Sequence, residues 1–252
     1  MESITATQAF GWEFLGTALL LLFGNGVCMV NNLRTSAGWN SGWVLITFGW
    51  GLGVYIGASV ADISGGHLNP AVTLALAVKG SVPWSLVPAY FAGQMLGAMV
   101  GAFLAWAAFK QLFDANNVDE DGHVTGGNET TGNCFFTIPA HPNNVWNAVT
   151  EFIATFALLA FIMFASALGK DGDIGSLKYF GVAFIIVGIG MSLGSPTGYA
   201  INPVRDLGPR LMYAFALPIP GKGSAHWGYA WVPVVAPMLA AVAAGLLGAA
   251  LT

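Results

Sequence analysis

The residues able to do chemistry in this sequence come mostly in pairs. Asn69-Pro70 and Asn202-Pro203 are its only two Asn-Pro dipeptides, each with a glycine four residues before the Asn (Gly65, Gly198) and an aliphatic residue directly before it (Leu68, Ile201). Asn suits a helix N-cap because its carbonyl oxygen accepts from the first helical N–H groups, leaving the amide to donate elsewhere. Pro suits the first turn, where its missing N–H costs nothing. Each motif therefore predicts a Gly-loosened, irregular backbone running into a capped helix with a positively polarised start. Arg205 stands three residues past Asn202, and an arginine within an apolar segment is by default a functional residue. Glu13 and Glu151 are acids in apolar runs, open to two readings: proton carriers, or acceptors for irregular backbone. The chemistry on offer is hydrogen bonding and electrostatics. No Ser/His/Asp set, metal-ligand cluster or phosphate-binding Gly loop stands at usable spacing, so the sequence predicts neither an enzyme nor a resident metal or cofactor.

The elements that must position these groups are apolar. Of 252 residues, 56% are hydrophobic and only 8% charged, against about 25% charged in soluble domains. Net charge is −4 without a basic patch, which argues against a nucleic-acid partner. Six runs are long enough to cross a bilayer: Ala9–Val30, Trp43–Ile63, Leu86–Phe109, Val145–Leu168, Tyr179–Leu193 with some extension, and Tyr229–Leu251. Gly93, Gly97 and Gly101 in the third allow close helix approach. The runs after the Asn-Pro pairs, Pro70–Val78 and Pro203–Met212, reach roughly 15 Å, half the hydrocarbon thickness, and predict half-helices. Irregular backbone at that depth is tolerated only where it is buried or lines a cavity. Three spans separate the motifs, so they enter from opposite faces and meet near the midplane, as in an inverted repeat. Glu13-Phe14-Leu15-Gly16-Thr17 and Glu151-Phe152-Ile153-Ala154-Thr155 open the two halves. These readings predict one transmembrane domain over residues 1–252, with repeats 1–110 and 145–252 joined by an acidic, polar loop 111–144. That loop holds the glycosylation-like triplet Asn128-Glu129-Thr130. Cys28 and Cys134 have no spacing that supports a disulfide. Lys79, Lys170 and Lys178 fall on one side and Arg34, Lys110 and Lys222 on the other, so charge does not orient the chain.

The paired motifs and their flanks resemble the signature of the aquaporin and glycerol-facilitator family, the major intrinsic proteins, over nearly the whole chain, including the late segment Pro218–Gly223. The resemblance implies an all-α membrane protein with six transmembrane helices and two re-entrant half-helices. It makes Asn69, Pro70, Ala71 and Asn202, Pro203, Val204 the pore-centre motifs, with Val204 where the family usually has Ala. It further implies a selectivity filter of Trp50, Gly190, Tyr199 and Arg205. A register one residue off would put Gly49 in place of Trp50. Carbonyls of Gly65, Gly66, His67, Gly198, Tyr199 and Ala200 would line the path. The half-helix starts and Arg205 would repel cations and protons. Glu13 and Glu151 would support the re-entrant backbone, and Asp206 resembles the glycerol-conducting branch. Two aromatics would meet the carbons of a polyol, Arg205 its hydroxyls, and Gly190 would leave room that the water-selective branch fills with His. Asp62 falls near a pore mouth without an assigned role. The expected function is passive conduction of glycerol, water and small neutral solutes by a homotetramer in lipid, in the plasma membrane with cytoplasmic termini. A water-selective channel and a proton-coupled transporter are the competing readings.

Overall fold

A computed structural model describes residues 4–119, 121–165 and 178–251. Leu168 at the end of the anticipated fourth span, Lys170 of the charge comparison and Glu120 of the acidic loop lie outside the described residues. Among those described, the helices are α1 Ala6–Asn32, α2 Trp43–Val60, α3 Pro70–Lys79, α4 Val87–Asn116, α5 Asn144–Phe164, α6 Lys178–Leu193, α7 Pro203–Leu211 and α8 Val232–Leu251. Five of these (α1, α2, α4, α5 and α8) are long and apolar enough to cross a membrane, and the described part of α6 adds a shorter apolar helix of 16 residues. α3 and α7, with 10 and 9 residues, are the two short re-entrant helices. A single π-turn, Met212–Ala216, continues α7.

Local chemistry explains the boundaries. Thr5 caps α1 and completes a reciprocal capping box with Gln8. Asn143 caps α5, accepting from Trp146 N. Gly80 ends α3 in the left-handed conformation, which glycine adopts without a Cβ penalty. The anticipated polar loop starts later than residue 111, because α4 carries on to Asn116. There Phe113 is fully buried, and Asn116 Oδ1 accepts from Arg34 N at 2.9 Å.

The packing repeats between the halves of the chain. α1 lies against α2 and α4, and α5 lies against α6 and α8. Each half-helix crosses over, α3 onto α8 and α7 onto α4, so neither half closes its core alone. The α1–α4 contact is a backbone contact. A Cβ at Gly93, Gly97 or Gly101 would stand 2.3–2.4 Å from the carbonyl oxygens of Phe10, Phe14 and Ala18. Large apolar side chains such as Leu15, Phe23, Leu96 and Leu246 point outward. That surface suits lipid, and exposed Trp84, Trp146 and Trp231 near the helix ends fit the aromatic belts of a membrane interface.

Candidate functional site

The two motifs meet tip to tip. Asn69 Nδ2 donates to Ile201 O at 2.8 Å, and Asn202 Nδ2 donates to Leu68 O at 2.8 Å. Each Asn side-chain oxygen caps its own half-helix, Asn69 at Ala71 N (2.9 Å) and Asn202 at Val204 N and Arg205 N (3.2 and 3.3 Å). An amide carries two N–H donors, so one from each Asn is spoken for and one is left for the adjoining chamber. Val204 is buried in the core and leaves this reciprocal pairing intact.

The backbone before each Asn is held in conformations that side chains rarely adopt: φ is +53° at Leu68, +40° at Tyr199 and +45° at Ile201. Glu13 and Glu151 over-determine it. Glu13 accepts from Ser64 Oγ (2.7 Å), His67 N (3.0 Å), Leu68 N (2.7 Å) and Gln94 Nε2 (2.7 Å). Glu151 accepts from Ala200 N (2.9 Å) and Ile201 N (2.8 Å). Both acids are fully buried behind the loops, and neither lines a chamber. A glutamine at position 151 would turn an NH2 toward one of these N–H groups. Glu151→Gln should therefore cost about 1–3 kcal/mol of stability and reduce solute flux together with it. Thermal unfolding of the purified variant beside its flux checks this; a proton-carrier role would leave the melting point unmoved.

Two chambers, of about 130 and 320 Å³, adjoin these motifs. The first is lined by Gly65, Gly66, His67, Tyr199, Ala200 and both Asn side chains, and the second by Gly198 and the loop residues Asn133 and Phe136–Ile138. Trp50, Tyr199 and Arg205 line both, and so form the partition between them. Trp50, not Gly49, takes the aromatic position. A Cβ on Gly49 would strike Val27 on α1, whereas the Trp50 ring carries the Arg205 guanidinium, whose carbon is 3.7 Å from the ring centre. This stacking is a cation–π contact. The Arg205 guanidinium thus covers one face of the indole that the resemblance assigns to the polyol carbons. Trp50 Nε1 donates to Cys28 Sγ at 3.3 Å, and both cysteines are free and buried.

Gly190 differs from expectation. It leaves no open room and lines neither chamber: a Cβ there would lie 2.8 Å from Cζ and 3.0 Å from Oη of Tyr199, and 2.7 Å from the Thr47 methyl. The ring of Tyr199 fills the space, with Trp43 packed edge-on against it at 5.7 Å. Gly190 is the seat of the aromatic wall.

Residues that the sequence reading passed over hold the arginine side. The loop at 133–138 folds over the second chamber, and Phe135 O accepts from Arg205 Nη1 at 3.3 Å. Asp206 Oδ2 accepts from Thr137 N and Oγ1 at 2.8 and 2.6 Å. Its other oxygen pairs with the fully buried Arg210 at 2.7 Å. Lys222 Nζ donates to Tyr213 O and Leu217 O at 2.6 and 2.9 Å, and desolvation there lowers the ammonium pKa. A polar residue inside an apolar run was the available signal for Asn25, Gln94 and Arg210, the same signal that singled out Arg205.

At the far end of the first chamber, Asp62 meets the start of α6. Tyr179 lines the chamber and donates its hydroxyl to Asp62 Oδ1 at 2.6 Å, and Lys178 pairs with the same oxygen. The Lys178 ammonium and the Tyr179 hydroxyl hold the Asp62 carboxyl below its usual range. Asn128 is fully buried, with Nδ2 donating to Phe113 O and Pro220 O at 2.8 Å each, so its amide nitrogen is not open to a glycan. Asp119, Asp121 and His123 lie together, all exposed. Asp119 Oδ1 is already taken there by the backbone N–H groups of Asp121 and His123.

Two half-helices meeting end to end, with a guanidinium-lined partition beside them, define a membrane channel of the aquaporin fold. The description "Major intrinsic protein" fits a family model matching residues 1–247. The chain belongs to the major intrinsic protein family. It is 48% identical to a glycerol uptake facilitator protein of Bacillus subtilis, over 92% of this chain and 80% of that one. It is 44% identical to a probable glycerol uptake facilitator protein of Thermotoga maritima, over 95% of both. Among solved structures, the aquaglyceroporin from Plasmodium falciparum superposes with a TM-score of 0.78 at 28% identity, covering 96% of this chain and 95% of that one.

Proposed function

We propose that this protein is a passive channel for glycerol and other small neutral polyols, which also conducts water and excludes ions and protons. The observation that carries the reading is the partition itself: one aromatic ring seated on a glycine, one indole, and one guanidinium with most of its N–H donors unengaged among the described residues. A polyol needs both an apolar wall for its carbons and donors for its oxygens, and pore width with lining donors sets selectivity in such channels. The facilitator names of the relatives support the same solute class. Two half-helix starts and Arg205 around the narrow part raise the electrostatic barrier to cations. In this reading residues 1–110 and 145–252 are the inverted repeats, the subunits form a homotetramer with one pore each, and the termini are cytoplasmic in the plasma membrane.

Light scattering from proteoliposomes tests it. In a hyperosmotic glycerol step, vesicles should shrink and then re-swell as glycerol enters, without a pH gradient and without saturating. Shrinkage with no re-swelling would favour the water-selective reading. Re-swelling that collapses with the pH gradient would favour a coupled transporter.

A further inference from the structure

We infer that Asn25, in the middle of α1, is the positioning residue that sets the filter arginine, acting through the one carbonyl that both side chains share. Asn25 Nδ2 donates to Cys134 O at 2.6 Å and to Phe135 O at 3.1 Å. Phe135 O is also the acceptor for Arg205 Nη1. A carbonyl oxygen has two lone pairs, so one can be held from the α1 side while the other faces the guanidinium. Asn25 is fully buried, and its own Oδ1 has no partner among the described residues. Its acceptor half is unused, so the position needs the donors alone.

The neighbours on α1 serve the same partition. A Cβ at Gly24 would lie 2.2 Å from the Trp50 ring, so the bare backbone there is the indole's seat. Cys28, one turn on, accepts from Trp50 Nε1. The segment Gly24–Cys28 thereby fixes Trp50 directly and Arg205 through the loop, and keeps the guanidinium on the indole. The Phe135 ring, tilted against Tyr213 at 5.4 Å, anchors the loop but does not aim its carbonyl. Asn25 aims it. Without that donor the peptide can rotate, and Arg205 loses the acceptor that holds it in the partition.

The inference deepens the proposed function and rests on it, so the test carries two readouts. Asn25→Leu removes the donors while keeping the branching and number of side-chain heavy atoms; Asn25→Ser, too short to bridge both carbonyls, serves in its place if the bulkier leucine variant does not fold. In proteoliposomes, Asn25→Leu should lower the glycerol-to-water permeability ratio about tenfold, the scale of one lost buried hydrogen bond, and raise proton leak several-fold. In an Arg205→Val background the same substitution should change either readout by less than about twofold, as expected of residues acting in one chain. An unchanged ratio and leak, or the same loss in both backgrounds, overturns the inference. A wild type that passes no glycerol overturns the polyol reading instead, and the proton-leak comparison then still decides the role of Asn25.

Discussion

Gly190→His should lower glycerol permeation about a hundredfold, equivalent to ~2.7 kcal/mol of added barrier, while water flux falls far less. The reason lies in what already occupies that space. A Cβ at residue 190 would meet Tyr199 Cζ at 2.8 Å and the Thr47 methyl at 2.7 Å, so an imidazole cannot be added without displacing the ring. Trp43 closes the lateral escape, with its Nε1 donating to Gly190 O at 2.8 Å. The displaced Tyr199 moves into the passage, where a water molecule still fits and a three-carbon polyol does not. Gly188, two residues earlier on α6, supplies the control. Nothing lies within 4 Å of a Cβ built there, so Gly188→Ala should leave both fluxes near wild type. Stopped-flow water and glycerol permeabilities of the three proteins, normalised to the amount inserted, check the prediction. Equal losses of water and glycerol in Gly190→His would show that the site collapses and that no narrowing occurs.

Arg210→Met should be the most destabilising single change on α7. Arg210 is wholly buried, with its guanidinium on Asp206 Oδ1, on Ala225 O (2.6 Å) and on Thr137 O (3.1 Å), stacked 4.2 Å from the centre of Phe136. Removing one partner of a buried pair leaves the other charge uncompensated and costs about 3–5 kcal/mol. At this chain length that lowers the thermal midpoint by roughly 6–20 °C. Asp206→Asn combined with Arg210→Met should recover a large part of the loss, because the stranded carboxylate goes with its partner. Melting curves of the single and double variants in one detergent decide it. A single variant that melts with the wild type would mean that Asp206 finds compensation elsewhere. The functional consequence is an expected loss of glycerol selectivity before complete unfolding, since Thr137 lies two residues past the carbonyl that holds Arg205.

Much of this architecture was legible before any coordinates. Pro70 and Pro203 restrict φ and lack an N–H, Asn69 and Asn202 cap, and ten-residue runs are too short to span. Those are local facts, and α3 and α7 start at the anticipated prolines. Glycines four apart in the third span were readable as close packing, and they face the α1 carbonyls. The bounds of the polar loop were less readable, because Phe113 and Asn116 keep α4 helical by burying against distant residues. Gly190 was read as empty space because a glycine removes a side chain on paper. Whether the space stays empty depends on where Tyr199 lies.

By itself the sequence determined the two capped half-helices, the apolar spans that carry them and the presence of one arginine beside the second motif. Caps, proline geometry and span length are set within a few residues of chain. Only the tertiary structure decided that Arg205 lies on Trp50, that Phe135 O holds it, and that Asn25 and Arg210 stand behind that carbonyl and its loop. Those bonds join residues such as Asn25 and Cys134, 109 positions apart. No local periodicity encodes such a pairing; it exists only once α1, the loop and α7 are packed together.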